Sequence, residues 1–177
     1  MKVHLVLYQP EIPQNTGNIM RLCAGTDTIL HLIKPLGFKL EAKYLKREAV
    51  NYLESVKYFV YESLEDFFKQ NQGEFFYITR YGNKTPSAVN FYQLTRDIYL
   101  IFGRESTGLP KVLLKENKER LIRLPTNDKI RSLNLANTAA IMLYEVLRQL
   151  DYLNLAKEEP VTLKGPNYLF EEKEEAK

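Results

Sequence analysis

The sequence contains one cysteine, two histidines and no tryptophan. A single thiol excludes an intrachain disulfide and suits a reducing compartment. Cys23 stands among Ile19, Met20, Leu22 and Ala24 at helical spacing and reads as a small buried hydrophobe. His4 and His31 fall in predicted strands and read as structural; with one cysteine they lack the spacing of a zinc site, so no metal is expected. No apolar run approaches the roughly 20 residues of a membrane span. The opening MKVHLVLYQP is too short in its apolar part for a signal peptide and reads as a strand. A soluble, cytoplasmic protein is expected. There is no internal repeat, and no linker before about residue 156.

What is present fits one globular domain. The chain has 177 residues, 45% of them apolar and 27% charged, enough to bury a core without staples. Net charge is +3 and unevenly spread. The last seven residues, Glu171 to Lys177, carry −2, leaving +5 on the rest. A modestly basic body suits a polyanionic partner without demanding one. Residues 1–156 read as the domain and 157–177 as a tail broken by Pro160, Gly165 and Pro166. Tyr168, Leu169 and Phe170 could dock that tail, and its acidic end reads as solvated.

Apolar strands are predicted at Val3–Tyr8, Ile29–Ile33, Lys57–Tyr61, Phe75–Thr79, Ile98–Phe102 and Leu121–Leu124. Helices are expected after Asn15 or Thr16 as N-cap, and over Ala42–Val50, Leu64–Gln70 and Pro110–Glu116. A long final helix is expected from about Asn134, with an apolar stripe at Ala136, Ala140, Leu143, Leu147 and Leu150. Strands that are apolar throughout and alternate with helices predict a mostly parallel α/β sheet covered on both faces. The small residues of the final stripe leave room for core packing or for a homodimer contact.

Three polar loops follow predicted strand tips. The first, NTGNIMR, places Arg21 one to two helical turns after Asn15, where its fork of donors could grip a phosphate. In the second, GRESTGLP, two glycines bracket Arg104, Glu105, Ser106 and Thr107 after the buried run IYLIF, so a ligand could touch the main chain. The third runs from Pro125 through Thr126, Asn127, Asp128, Lys129, Arg131 and Ser132 into the final helix. Strand tip, polar loop and helix N-terminus in succession form a common ligand site in open α/β sheets. Arg80, Lys84, Arg104 and Lys129 follow strand tips; Lys39, Lys43, Lys46 and Arg47 recur at helical spacing. Either group could make salt-dependent contacts to a nucleic-acid backbone.

Together and in this order, N-x-G-N-x-x-R, G-x-E-x-x-G-L-P and R-L-P…R-S-L-N-L-A-N resemble the three motifs of the SPOUT superfamily of RNA methyltransferases. More narrowly, residues 1 to about 156 resemble the small single-domain TrmL-type enzymes, most closely in LYQPEIPQNTGNIMRLCA and SLNLANTAAIMLYE. The resemblance implies a trefoil knot near the C-terminus, S-adenosylmethionine as cofactor and transfer to the ribose 2′-hydroxyl of a tRNA wobble nucleotide, cytidine or modified uridine. Ile78, Gly103, Leu124, Ser132 and Leu133 would hold the cofactor. Asn15, Glu105, Arg131 and Tyr144 would lie on the substrate side. Arg21 would be catalytic and reach the partner's site in a homodimer. The resemblance gives Arg21 a base role, yet arginine stays protonated in proteins. It reads better as holding an RNA phosphate and stabilising the developing alkoxide. Arg104 departs from the pattern, since several relatives have a less charged residue there.

Other readings stay open: action on another tRNA position or on rRNA, or a non-catalytic RNA-binding relative. A nicotinamide-dependent enzyme fits less well, because QPEIPQNTGN lacks the glycine fingerprint expected after the first strand.

Overall fold

The structure, a computed structural model, describes residues 1–40 and 55–170. The expected helix over Ala42–Val50 lies outside them, as do Lys43, Lys46 and Arg47. The described elements run β1 (Val3–Tyr8), α1 (Pro13–Thr26), β2 (Ile29–Ile33), β3 (Tyr58–Tyr61), α2 (Leu64–Gln70), β4 (Glu74–Ile78), β5 (Ile98–Phe102), α3 (Lys111–Glu116), β6 (Leu121–Ile122) and α4 (Leu135–Gln149). Among the described residues six strands form one sheet in the order β3-β2-β1-β5-β4-β6. Every pairing in it is parallel. Strand order reverses between β1 and β5, and in open α/β sheets ligands bind outside the carboxyl ends at such a switch point.

Helices cover both faces because the strands are apolar on both. Ile19, Met20 and Cys23 of α1 and Met142, Leu143 and Val146 of α4 pack on Leu5, Leu7, Leu100 and Phe102. Phe67 of α2 and Leu114 of α3 seal the other face over Val6, Ile33, Tyr77 and Ile101. Each such side chain contributes about 1.5–3 kcal/mol when fully buried. Burial also pushes the Cys23 thiol up to about 12, so it stays protonated and inert.

Several boundaries differ from expectation. Helix α1 begins at Pro13, whose fixed φ suits the first turn, and Ile12 precedes it without a side-chain cap. Asn15 and Thr16 therefore sit inside the helix, both buried. The stripe of α4 is rotated: Ala139, Met142, Leu143, Val146 and Leu147 are buried, while Ala136 and Ala140 face a surface depression. Strand β6 holds only two residues, because Arg123 turns to pair with the β4–β5 connection through its N–H and the Lys84 carbonyl (2.9 Å). That connection also rests on α4, where the Phe91 N–H donates to Gln149 Oε1 at 2.9 Å. In the described tail Leu169 and Phe170 are each 83% exposed and Tyr168 41%.

The two histidines meet across the sheet, which spacing along the chain could not reveal. His4 Nδ1 and His31 Nε2 lie 2.8 Å apart, and His31 Nδ1 lies 3.0 Å from the Tyr61 hydroxyl. Asn71 donates to that hydroxyl at 3.2 Å, and Asp97 lies 3.4 Å from His4 Nε2. The ladder crosses β1, β2 and β3 beneath Tyr99 and Phe67. Burial, with His4 nearby, drives His31 down to about 3. Burial also lowers His4, outweighing the opposing pull of Asp97.

Candidate active site

A cavity of about 650 Å³ opens at the carboxyl ends of β1, β4, β5 and β6. This is the size of a pocket for a cofactor-sized ligand. All three polar loops reach it. Ile78, Gly103, Leu124, Ser132 and Leu133 line it together, as do Asn15, Glu105 and Arg131. Arg21 and Tyr144 do not. They line a separate depression between α1 and α4, with Asn18, Leu22 and Ala140. Tyr144 is 49% exposed there and is no core aromatic.

One wall of the cavity is bare main chain. A Cβ on Gly103 would lie 2.2 Å from the Gly108 carbonyl carbon and 2.4 Å from the Leu109 nitrogen. Gly108 has φ +75°, which favours glycine. Arg104 and Gly108 exchange backbone hydrogen bonds of 3.2 and 2.9 Å, folding GRESTG back on itself. Glycine at 103 thus lets the loop close on itself, and Gly103 lines the cavity where it does so.

The loops are tied by two reciprocal carboxylates. Glu105 accepts from the Glu11 N–H (2.9 Å), the Ile12 N–H (3.2 Å) and Asn15 Nδ2 (3.0 Å). Glu11 accepts from the Ser106 N–H and from Ser106 Oγ, both at 2.9 Å. These bonds hold the Glu11 carboxyl below its usual range, with Arg104 helping. Asn134 joins the third loop: its Nδ2 donates to Asn15 Oδ1 at 2.9 Å, while its Oδ1 caps α4 at Ala136 and Asn137. Asn15 and Glu105, expected on the substrate side, line the cavity and also tie its loops together. Sequence reasoning missed Glu11, which the motif PEIPQNTGN carries in plain view.

Four guanidinium groups, Arg80, Arg104, Arg123 and Arg131, line the cavity against the tied carboxylate of Glu105. Arg104 Nε is buried and has no hydrogen-bond partner among the described residues. An orphaned donor in a cavity wall is a ready contact for an anionic ligand group. Of the other basic residues noted in the sequence, Lys84 is paired with Glu119 at 3.3 Å. Neither Lys84 nor Lys129 lines the cavity. No group of side chains able to hold a metal is found among the described residues, and no described helix is long and apolar enough to cross a membrane.

Comparison with known proteins gives this geometry a lineage. The profile of the SpoU rRNA methylase family matches residues 2–144. A protein of Listeria monocytogenes, named as a candidate tRNA (cytidine(34)-2′-O)-methyltransferase, is 52% identical over 169 residues, covering 95% of this chain and 96% of its own. A crystal structure from Bacillus anthracis, described as a candidate RNA methyltransferase, matches with TM-score 0.82 and 52% identity over 86% of this chain and 97% of that one. A structure described as giving insight into the 2-OH methylation of C/U34 on tRNA matches with TM-score 0.78 and 37% identity, covering 85% and 97%. With the motifs in order, the loops joined at one cavity and relatives matched along nearly their full length, the chain belongs to the SpoU rRNA methylase family.

Proposed function

We propose that the protein is an S-adenosylmethionine-dependent methyltransferase acting on the ribose 2′-hydroxyl of the wobble nucleotide of tRNA. The observation that carries this reading is the convergence of all three motif loops on one arginine-lined cavity. Relatives above half identity whose names give that reaction support it.

The cavity fits the cofactor. It has the right volume, a main-chain wall at Gly103, apolar surface at Ile78, Leu124 and Leu133, and an orphaned donor at Arg104. Ile78, Gly103, Leu124, Ser132 and Leu133 would hold S-adenosylmethionine, which supplies a methyl group on a sulfonium when bound. The chain's own task is to align a ribose hydroxyl and stabilise charge on its oxygen. Alignment alone is worth up to about 7–11 kcal/mol. Arg21 grips a phosphate of the RNA and offsets the negative charge growing on the 2′-oxygen, while the proton leaves by another route.

Arg21 lies in the α1–α4 depression and not in the cavity of its own chain. We therefore infer a homodimer in which Arg21 of one protomer completes the partner's site. Ile141 (46% exposed) and Tyr144 extend this α4 face and suit a subunit contact. We also infer the trefoil knot. The β4–β5 connection is bonded to β6 and packed on α4, as it would be if the segment between β6 and α4 threaded through it. An experimental chain trace with α4 outside that connection would refute the threading.

The direct test incubates the purified protein with unmodified tRNA and isotope-labelled cofactor, followed by mass spectrometry of the nucleosides. Label in 2′-O-methylcytidine or a 2′-O-methyluridine derivative at the wobble position is expected. Label on a base or at another position, or RNA binding without any label, overturns the reading.

A further inference from the structure

One feature at the cavity mouth is unused by the proposed reaction. After β4 the chain turns sharply through Thr79, Arg80, Tyr81 and Gly82. The Tyr81 N–H donates to Thr79 Oγ1 at 3.3 Å and the Gly82 N–H to the Thr79 carbonyl at 3.2 Å. A Cβ on Gly82 would lie 2.7 Å from the Ile122 carbonyl carbon, so this turn sits tight against β6. Arg80 folds over its neighbour: its Cζ lies 4.7 Å from the Tyr81 ring centroid and its Nη2 donates to the Tyr81 hydroxyl at 2.6 Å. Arg123 in turn donates from Nη1 to the Arg80 carbonyl at 3.1 Å. The Tyr81 ring is thus held on one side by a guanidinium, yet it lines the cavity and is 61% exposed. Its hydroxyl is lowered from the usual tyrosine range, first by Arg80 and then by Lys111 and Arg131 nearby.

Single exposed aromatics are common on protein surfaces. This one differs in being fixed in place and ringed by cations. A positively charged groove with an aromatic face is how proteins take hold of single-stranded nucleic acid, because every base has a π-face and every linkage a charge. The guanidiniums do not suit the cofactor alone. S-adenosylmethionine carries one carboxylate against a sulfonium and an ammonium, so it is itself net positive. An RNA backbone is the ligand whose charge complements Arg80, Arg123 and Arg131.

We infer that Tyr81, backed by Arg80, is a stacking platform for an unpaired nucleobase next to the nucleotide being methylated, with Arg123 and Arg131 receiving the adjoining phosphates. This rests on the RNA-methylation reading above and adds the residue that grips the substrate strand. Stacking on Tyr81 needs a base free of its own stack, so the platform selects a loop over a duplex.

The test uses the full-length protein and an anticodon stem-loop carrying 2-aminopurine beside the target nucleotide. Wild type should quench the fluorophore on binding. Tyr81→Ala should abolish the quench and weaken RNA binding by about 5- to 100-fold, the loss of one base–aromatic stack. Tyr81→Phe, which keeps the ring, should stay within about threefold of wild type. Cofactor affinity measured by calorimetry without RNA should be unchanged in both variants. The salt dependence of RNA binding should keep its slope in Tyr81→Ala, because no phosphate contact is removed. Quenching and affinity retained in Tyr81→Ala overturn the inference; so does a matching loss of cofactor affinity, which would place the cofactor's adenine on the ring, or a shallower salt slope. Failure of the methylation reading is seen separately, as a wild type that modifies no tRNA.

Discussion

Two hydrogen-bonded polar networks run through this molecule, and they are built for different ends. The ladder of His4, His31, Tyr61 and Asn71 lies beneath aromatic rings on one face of the sheet, and its members bond mostly to one another. The clasp of Glu11, Glu105, Asn15 and Asn134 lies at the strand tips and joins three loops around a cavity. The ladder leaves one nitrogen, His4 Nε2, without a hydrogen bond among the described residues, but it lies 3.4 Å from Asp97 and no member of the ladder lines the cavity. The clasp spends its carboxylates on backbone N–H groups and leaves arginines facing the cavity. Buried polar groups alone do not mark a function; what matters is whether an unpaired donor faces a cavity, as Arg104 Nε does and His4 Nε2 does not.

The contrast breaks most sharply at Arg21, which belongs to neither network. Arg21→Ala should slow methyl transfer by about 10²–10³-fold, the usual cost of losing one charge-stabilising donor. Cofactor affinity should stay unchanged, since Arg21 lies outside the cavity. Mixing Arg21→Ala protomers with protomers impaired at Gly103 should restore part of the activity through mixed dimers with one intact site. No recovery in such mixtures would place both residues in one subunit's site.

Glu105→Gln probes the clasp. It weakens the charge-assisted bonds to the Glu11 and Ile12 N–H groups and sets an amide against Asn15. A loss of about 1–3 kcal/mol in chemical denaturation is expected. Turnover and cofactor affinity should fall together, because the cavity wall shifts. Normal stability with a raised tRNA KM would instead return Glu105 to the substrate-binding role expected from the sequence.

The ladder should respond to pH and leave the chemistry alone. His31 is held near 3 in the folded protein, against 6.5 in an unfolded chain, and His4 is also lowered. Below 6.5 the unfolded state takes up protons that the folded state refuses, so this contribution is full above 6.5 and lost as pH falls towards about 3. The slope reaches about 1.4 kcal/mol per pH unit for His31, and His4 adds in the same direction. Asp97, which raises His4, and Lys2 and Lys57, which lower it, are the charged groups acting on the pair. Denaturation midpoints between pH 4 and 7 should lose about one proton of slope in His31→Phe, and an unaltered slope would mean that other groups govern acid stability. The smallest effect is expected for Ser106→Ala. It removes one exposed hydroxyl bond to Glu11 and keeps the backbone one, so it should cost less than about 1 kcal/mol.

Much of this was legible in the residues, and for identifiable reasons. VHLVLY, ILHLI and IYLIF are buried on both faces, so unbroken apolar runs mark their limits closely. The three loops were legible because glycines and a proline punctuate them. Arg21 and Tyr144 could not be separated from the cavity residues by sequence, since distance along α1 or α4 says nothing of which depression a side chain enters. The histidine pair was hidden because lateral register between β1 and β2 has no signature in either strand. Helix α1 began earlier than expected because Pro13 supplied the first turn that a capping side chain was expected to mark. Tyr81 has no signature in the sequence, because its place depends on Arg80 folding over its ring.

At Gly103 the cavity is walled by peptide groups pressed together too tightly for any side chain. The chemistry of such a surface is that of the amide bond common to every residue, so it does not depend on which side chains surround it. Side chains return at the entrance, where Arg80, Tyr81 and Arg104 stand. Substitutions at that doorway would change what the cavity admits while its peptide wall stayed as it is.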